Sequence, residues 1–250
     1  MELLVLGSGT CTPSLNRAAP GLLIWAGGKR ILCDSGSGTL ERLLKAKVTY
    51  NDIDLLCYTH KHPDHTADLV PFLFACKYGD PPRKKDLILI GGRGFKQFLS
   101  ELKAVYNPWV EAQHYRLCIY EMETDQLDLQ GFSLRTKPMK HTPQSVGYRL
   151  KDKTGRSITV SGDTDYCPDI IELARESSLL VLESSFPDQH RVEGHLTPAL
   201  AGRIAHEARC PKLLLTHFYP ICDRYDILAE CRANYKGEII LAQDGMRIAI

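Results

Sequence analysis

Thr59-His60-Lys61-His62-Pro63-Asp64-His65 decides the reading of this chain, because three histidines and a carboxylate crowd into it directly after the apolar run Leu55-Leu56-Cys57-Tyr58. A short apolar run bounded by polar residues reads as a buried strand, so the crowded segment is a loop at the edge of a sheet. Imidazole nitrogen and carboxylate oxygen are the donors that zinc favours. A tight loop lets alternate side chains reach two neighbouring ions from one backbone segment. A solvated histidine-rich turn would not explain why the loop follows a buried strand. Pro63 reads as the residue that keeps the loop out of a helix.

Other chemistry-bearing residues repeat this placement. Asp34, Asp163 and His217 each stand just past an apolar run, as His60 does. That is the position where a sheet of an α/β protein presents its ligand-binding edge. The strand-like runs cover residues 3–6, 22–25, 30–33, 55–58, 87–90, 132–137, 146–150, 157–160, 179–182, 212–215, 238–241 and 246–249. Apolar residues at helical spacing fill 40–46, 67–76, 95–106, 170–174, 197–208 and 227–235. The early strands form meanders with tight turns such as Ala26-Gly27-Gly28-Lys29, and later strands alternate with helices. The expected class is α/β, with two mixed sheets between outer helices in one domain over residues 1–250. The turn-rich connector 79–85, with its basic run Arg83-Lys84-Lys85, reads as a solvated loop. Thr59-His60 and Thr216-His217 echo each other faintly.

The composition excludes several classes. Hydrophobic residues make up 44% and charged residues 24%, far from a disordered chain, and the formal charge of +1 gives no support for a dedicated polyanion binder. Nine cysteines are scattered without a CxxC pair and several lie inside apolar runs, so they read as buried free thiols in a reducing cytoplasm. No apolar run reaches the roughly 20 residues of a membrane span. The first residues, Met1-Glu2-Leu3-Leu4-Val5-Leu6-Gly7, lack a basic region and read as a first strand.

His60, His62, Asp64 and His65 match in full the pattern His-x-His-x-Asp-His of the metallo-β-lactamase superfamily, which the chain therefore resembles. Asp34, His141 in Lys140-His141-Thr142-Pro143, Asp163 in Ser161-Gly162-Asp163-Thr164 and His217 resemble its further motifs, in order. The resemblance implies an αββα sandwich and two divalent metal ions, zinc by ligand type with manganese or iron as alternatives. It allots His60, His62 and His141 to one ion and Asp64, His65 and His217 to the other, with Asp163 between them. Asp34 would orient a ligand histidine through its free ring nitrogen. Such a pair of ions would hold a bridging hydroxide, with Asp64 as partner for its proton.

Within the superfamily, the opening strand, Asn16-Arg17, Gly147-Tyr148-Arg149 and Glu193-Gly194-His195-Leu196-Thr197 resemble ribonuclease Z. That resemblance implies that His195 protonates the leaving oxygen with the help of Glu183, as a phosphodiester needs. Thr197 is also the natural N-cap of a helix starting at Pro198. Three departures stand out. The family's long arm between the His141 and Asp163 motifs is missing, Phe218-Tyr219-Pro220 follows His217 in place of Phe-Ser-x-Arg-Tyr, and Ser184 replaces an alanine. The expectation is a phosphodiesterase for a small or single-stranded phosphodiester, such as a cyclic nucleotide or an RNA end, with no membrane partner. The alternatives are a tRNA 3′-processing ribonuclease Z, in which a homodimer would lend a basic groove across its interface, and a lactone or thioester hydrolase, which needs no donor at His195. His114, His190 and His206 read as surface residues, with His190 and Arg191 near enough to His195 to approach a phosphate.

Overall fold

The computed structural model describes residues 1–250. Along the chain run β1 (Glu2–Gly7), β2 (Gly21–Ala26), β3 (Lys29–Cys33), α1 (Thr39–Lys45), β4 (Leu55–Cys57), α2 (Pro63–Thr66), α3 (Leu69–Tyr78), β5 (Leu87–Gly91), α4 (Phe95–Tyr106), β6 (Leu117–Glu121), β7 (Gln126–Leu129), β8 (Phe132–Pro138) and β9 (Val146–Asp152). They are followed by β10 (Ser157–Val160), α5 (Pro168–Ala174), β11 (Leu179–Glu183), α6 (Pro198–Glu207), β12 (Lys212–Thr216), α7 (Ile227–Arg232), β13 (Glu238–Leu241) and β14 (Arg247–Ala249). The strands form two seven-stranded sheets, ordered β14-β1-β2-β3-β4-β5-β6 and β13-β12-β11-β10-β9-β8-β7. Both are mixed, as expected. Meanders build one side of each, while β3 to β6 and β10 to β13 run parallel.

The alternation of strand side chains explains the layers. Leu3, Val5, Leu22 and Ile24 join Leu134, Tyr148 and Leu150 of the other sheet in the larger core, which continues to α5, α6 and α7. Their neighbours Leu4, Leu6 and Leu23 face the opposite way, into a second core with Leu43 of α1, Phe72 of α3 and Leu99 of α4. Helices therefore cover both outer faces. At the β2–β3 turn Ala26 pairs with Lys29, and Gly27 and Gly28 both take positive φ, +56° and +76°, which suits a two-residue hairpin. No helix is long and apolar enough to cross a membrane.

Three sequence expectations need correction. Pro63 does not keep its loop from helix; it opens α2, where a proline's missing amide costs nothing. Arg83 is not solvated. It is fully buried, and its guanidinium donates to the carbonyls of Tyr50 (2.6 Å), Ile53 (2.7 Å) and Asp86 (2.9 Å). Three acceptors replace its water, which makes the burial tolerable. The strands β6 and β7 were not foreseen. All nine cysteines are free, and most are buried, with Cys118 half-buried and Cys11 exposed.

Candidate metal centre

The parallel strands deliver the expected residues to one edge of the sandwich. Asp34 follows β3, His60 to His65 follow β4 and open α2, Asp163 follows β10, Glu183 ends β11 and His217 follows β12, while His141 lies in the β8–β9 turn. The chain bends sharply at two of these points. Asp34 (φ 59°) and His217 (φ 60°) both adopt the left-handed conformation, which costs a residue with a Cβ roughly 1–2 kcal/mol. At Gly162 a Cβ would come within 2.4 Å of the Thr59 side chain, so only glycine lets the Asp163 loop close on the His60 loop.

Donor atoms of His60, His62, His141 and Asp163 lie within 4.8 Å of one another, and so do those of Asp64, His65 and His217. Asp163 faces both groups. Its Oδ2 is 3.8 Å from Nε2 of His60 and of His141, and its Oδ1 is 3.4 Å from His65 Nε2 and 3.5 Å from His217 Nε2. Asp64 Oδ2 lies 3.4 Å from His217 Nε2 and 3.8 Å from His65 Nε2. All are buried except His62, which is exposed at the rim, and His141, which is half-buried.

The hydrogen bonds fix the ring tautomers. Thr59 Oγ1 donates to Asp34 Oδ2 at 2.8 Å, so it is left to accept from His60 Nδ1 at 3.1 Å. His65 Nδ1 donates to Asp34 Oδ2 (2.8 Å), as expected of Asp34, and His141 Nδ1 donates to the Gly194 carbonyl (2.9 Å). The Ser185 hydroxyl donates to Glu183 Oε2 and accepts from His217 Nδ1 at 2.9 Å. When such a ring is neutral, its Nε2 carries a bare lone pair. The Nε2 atoms of His65 and His217 meet at 3.2 Å, and the buried His60 Nε2 and Asp163 Oδ1 have no hydrogen-bond partner. Buried acceptors without donors are costly, and a shared cation removes that cost. The donor set fits divalent metal.

The electrostatics agree. Burial and the neighbouring histidines push His60 down to about 2, which keeps it neutral. Burial alone would raise Asp64, but the neighbouring His217 and His65 hold it at about 2. Burial opposes charge on His65 too, yet Asp163 and Asp34 raise it well above its ordinary value. The pocket draws positive charge.

The profile of the beta-lactamase superfamily domain matches residues 29–218. The chain belongs to the metallo-β-lactamase superfamily. It is thus a metal-dependent hydrolase by class. A ribonuclease Z of Borrelia garinii subsp. bavariensis is 26% identical, covering 98% of this chain and 95% of that protein. That alignment runs over 312 residues against a chain of 250, so the relative carries insertions that are absent here. Among solved structures, the metallo-β-lactamase fold protein YhfI of Bacillus subtilis superposes with a TM-score of 0.85 at 25% identity, covering 99% of this chain and 98% of that one. The human short-form tRNase Z shares the fold with a TM-score of 0.80 at 24% identity, covering 100% and 99%.

Beside this superfamily centre, His195 Nδ1 sits 3.0 and 3.1 Å from the two oxygens of the buried Glu183, and 3.9 Å from Asp163 Oδ2. Thr197 accepts from Leu200 N, so the helix cap foreseen there is also present. Burial opposes charge on His195, but the bond to Glu183 and the charges of Glu183 and Asp163 raise its pKa. Ser185 and Asp165 went unforeseen. Ser185 joins Glu183 to His217, and the buried Asp165 accepts from the amides of Tyr166 (2.7 Å) and Gly194 (3.4 Å). Adjacency to Glu183 and Asp163 was the only trace of either in the sequence. His114, His190 and His206 are exposed, as expected.

Proposed function

We propose that this protein is a dinuclear metal phosphodiesterase acting on a small or single-stranded phosphodiester. In this reading His60, His62 and His141 would hold one ion, Asp64, His65 and His217 the other, and Asp163 both, an allotment that the two groups of donors support, with zinc as the ion that the ligand types favour. Bound there, the ions would supply positive charge to the phosphoryl oxygens and acidify water at neutral pH. Asp64 would take the proton of the attacking water.

The observation that carries this reading is the Glu183–His195 pair. Glu183 accepts the hydrogen bond from His195 Nδ1–H, so an imidazolium there keeps one free donor, Nε2–H, for the oxygen that leaves. A phosphodiester with an alkyl leaving group needs that proton; a lactone or thioester does not.

The name of the curated relatives supports an RNA end as one form of the substrate. Against a folded precursor stands the short turn at 153–156 that joins β9 to β10, where a tRNA-gripping arm would be inserted, and the near-neutral charge. The test compares kcat/KM on a 3′-extended tRNA precursor with that on cyclic and linear dinucleotides, at two salt concentrations and with a chelator control. Chelator-sensitive hydrolysis of the small diesters, exceeding that of the precursor, is expected. Salt-sensitive cleavage of the precursor with negligible activity on the small diesters would restore a tRNA-processing assignment.

A further inference from the structure

Asp165 is almost fully buried, 1% exposed, yet two exposed cations converge on it from different loops. Lys140 Nζ lies 3.6 Å from its Oδ2, and an Arg191 terminal nitrogen, Nη2, lies 3.3 Å from its Oδ1. Lys140 precedes His141, and Arg191 belongs to the loop that ends in His195. The same carboxylate accepts from Gly194 N, and the Gly194 carbonyl holds His141. One buried anion therefore fixes both cations beside the His141–His195 ring pair, whose centroids are 4.8 Å apart.

Two positive charges share one negative charge, so a surplus remains at the mouth. Arg191 uses only Nη2 on Asp165, which leaves its Nη1 and Nε without a protein partner. Both side chains stay more than half exposed. A guanidinium fork beside an ammonium, held in place before any ligand arrives, matches the oxygens of a phosphate. Three other cations around the cleft are consumed singly: Arg17 pairs with Asp223, Arg42 with Asp244 and Lys45 with Glu41.

We propose that Lys140 and Arg191, anchored by Asp165, form an anion subsite that receives a second phosphate on the departing side of the scissile bond. The placement beside His195 rests on the phosphodiesterase reading above. The subsite narrows the substrate to an oligonucleotide end, because a cyclic mononucleotide has no second phosphate to offer. His190, beside Arg191 in sequence, takes no part; its Nε2 is bound to the Tyr225 hydroxyl at 2.6 Å.

The experiment measures kcat/KM on a dinucleoside monophosphate and on the same compound carrying a phosphate on its departing nucleoside. Wild type is expected to favour the phosphorylated compound about tenfold at low salt, with the preference shrinking as salt rises. The double variant Lys140→Gln, Arg191→Gln should bring the ratio to within about twofold of one. A general loss of activity cancels in this ratio. Calorimetric binding of adenosine 3′,5′-bisphosphate needs no turnover, and the double variant should weaken it about tenfold. A wild-type ratio near one, a ratio that survives the double variant, or a ratio lost only on Lys61→Gln, at a rim lysine, would overturn the subsite. If neither compound is hydrolysed but the binding loss remains, the subsite stands and the phosphodiesterase reading falls.

Discussion

His195 differs from the other histidines of the cluster in what its second nitrogen has left to do. In His60, His65, His141 and His217 the Nδ1 proton is bound to Thr59, Asp34, Gly194 or Ser185, and Nε2 turns into the donor cluster. His195 spends Nδ1 on Glu183 and remains half-buried. His195→Ala is expected to lower turnover of a diester with an alkyl leaving group by about 10²-fold, the scale of general acid catalysis. With a nitrophenyl leaving group, which departs without a proton, the loss should shrink, and metal content should not change. Equal losses on both substrates would remove His195 from the acid role. At this scale the sequence was informative where a residue type is rare in its setting, as with histidines behind a buried strand. It was silent on Ser185 and Asp165, since serine and aspartate are ordinary in loops and only folding brings them against His217 and Gly194.

Elements were legible in the sequence when both faces of a strand are buried, as in β1, β4, β11 and β12, where continuous apolar runs mark the strand. The two missed strands, β6 and β7, are the edges of their sheets. Their side chains are at best half-buried, so packing leaves little apolar pattern in them. The Arg83 connector failed for a related reason, because backbone carbonyls gathered from residues far along the chain solvate a cation as well as water does, and a sequence does not display them. Asp54 gives a test of how such contacts hold an element. It accepts from Arg30 N at 2.9 Å and pairs with Lys85 (2.8 Å) and Lys29 (3.3 Å), tying β3, β4 and the connector together. Burial works against its charge, but the Arg30 amide and the two lysines lower its pKa below the ordinary value. A lowered carboxylate pKa adds stability above the unfolded value, roughly pH 4, and that stability fades as pH falls through the folded value. Asp54→Asn should therefore cost about 1 kcal/mol in urea unfolding at pH 7 and progressively less below pH 4. A cost that stays constant with pH would show that shape, not charge, matters there.

Across the whole molecule, the donor set draws on both sheets. His60, His62, Asp64 and His65 follow β4 of the first sheet, and His141, Asp163 and His217 come from the second. Ions bound between them would clasp the sandwich. Elemental analysis of the loaded protein should find two ions per chain. Stripping them should lower Tm by roughly 5–10 °C, the shift that follows when a ligand at about a hundred times its Kd binds only the folded state. A single ion, or no change in Tm, would sink the dinuclear clasp. The split between sheets also sets a schedule for synthesis. A nascent chain that has left the ribosome only as far as α2 displays its densest cluster of histidines with no partner sheet to complete the cage. The second donor group, Asp64, His65 and His217, is complete only once β12 has emerged, more than 150 residues after His60, so a half-made chain lacks a ligand of the dinuclear set. Nascent chains stalled before β12 should surrender zinc to a mild chelator that the finished chain resists.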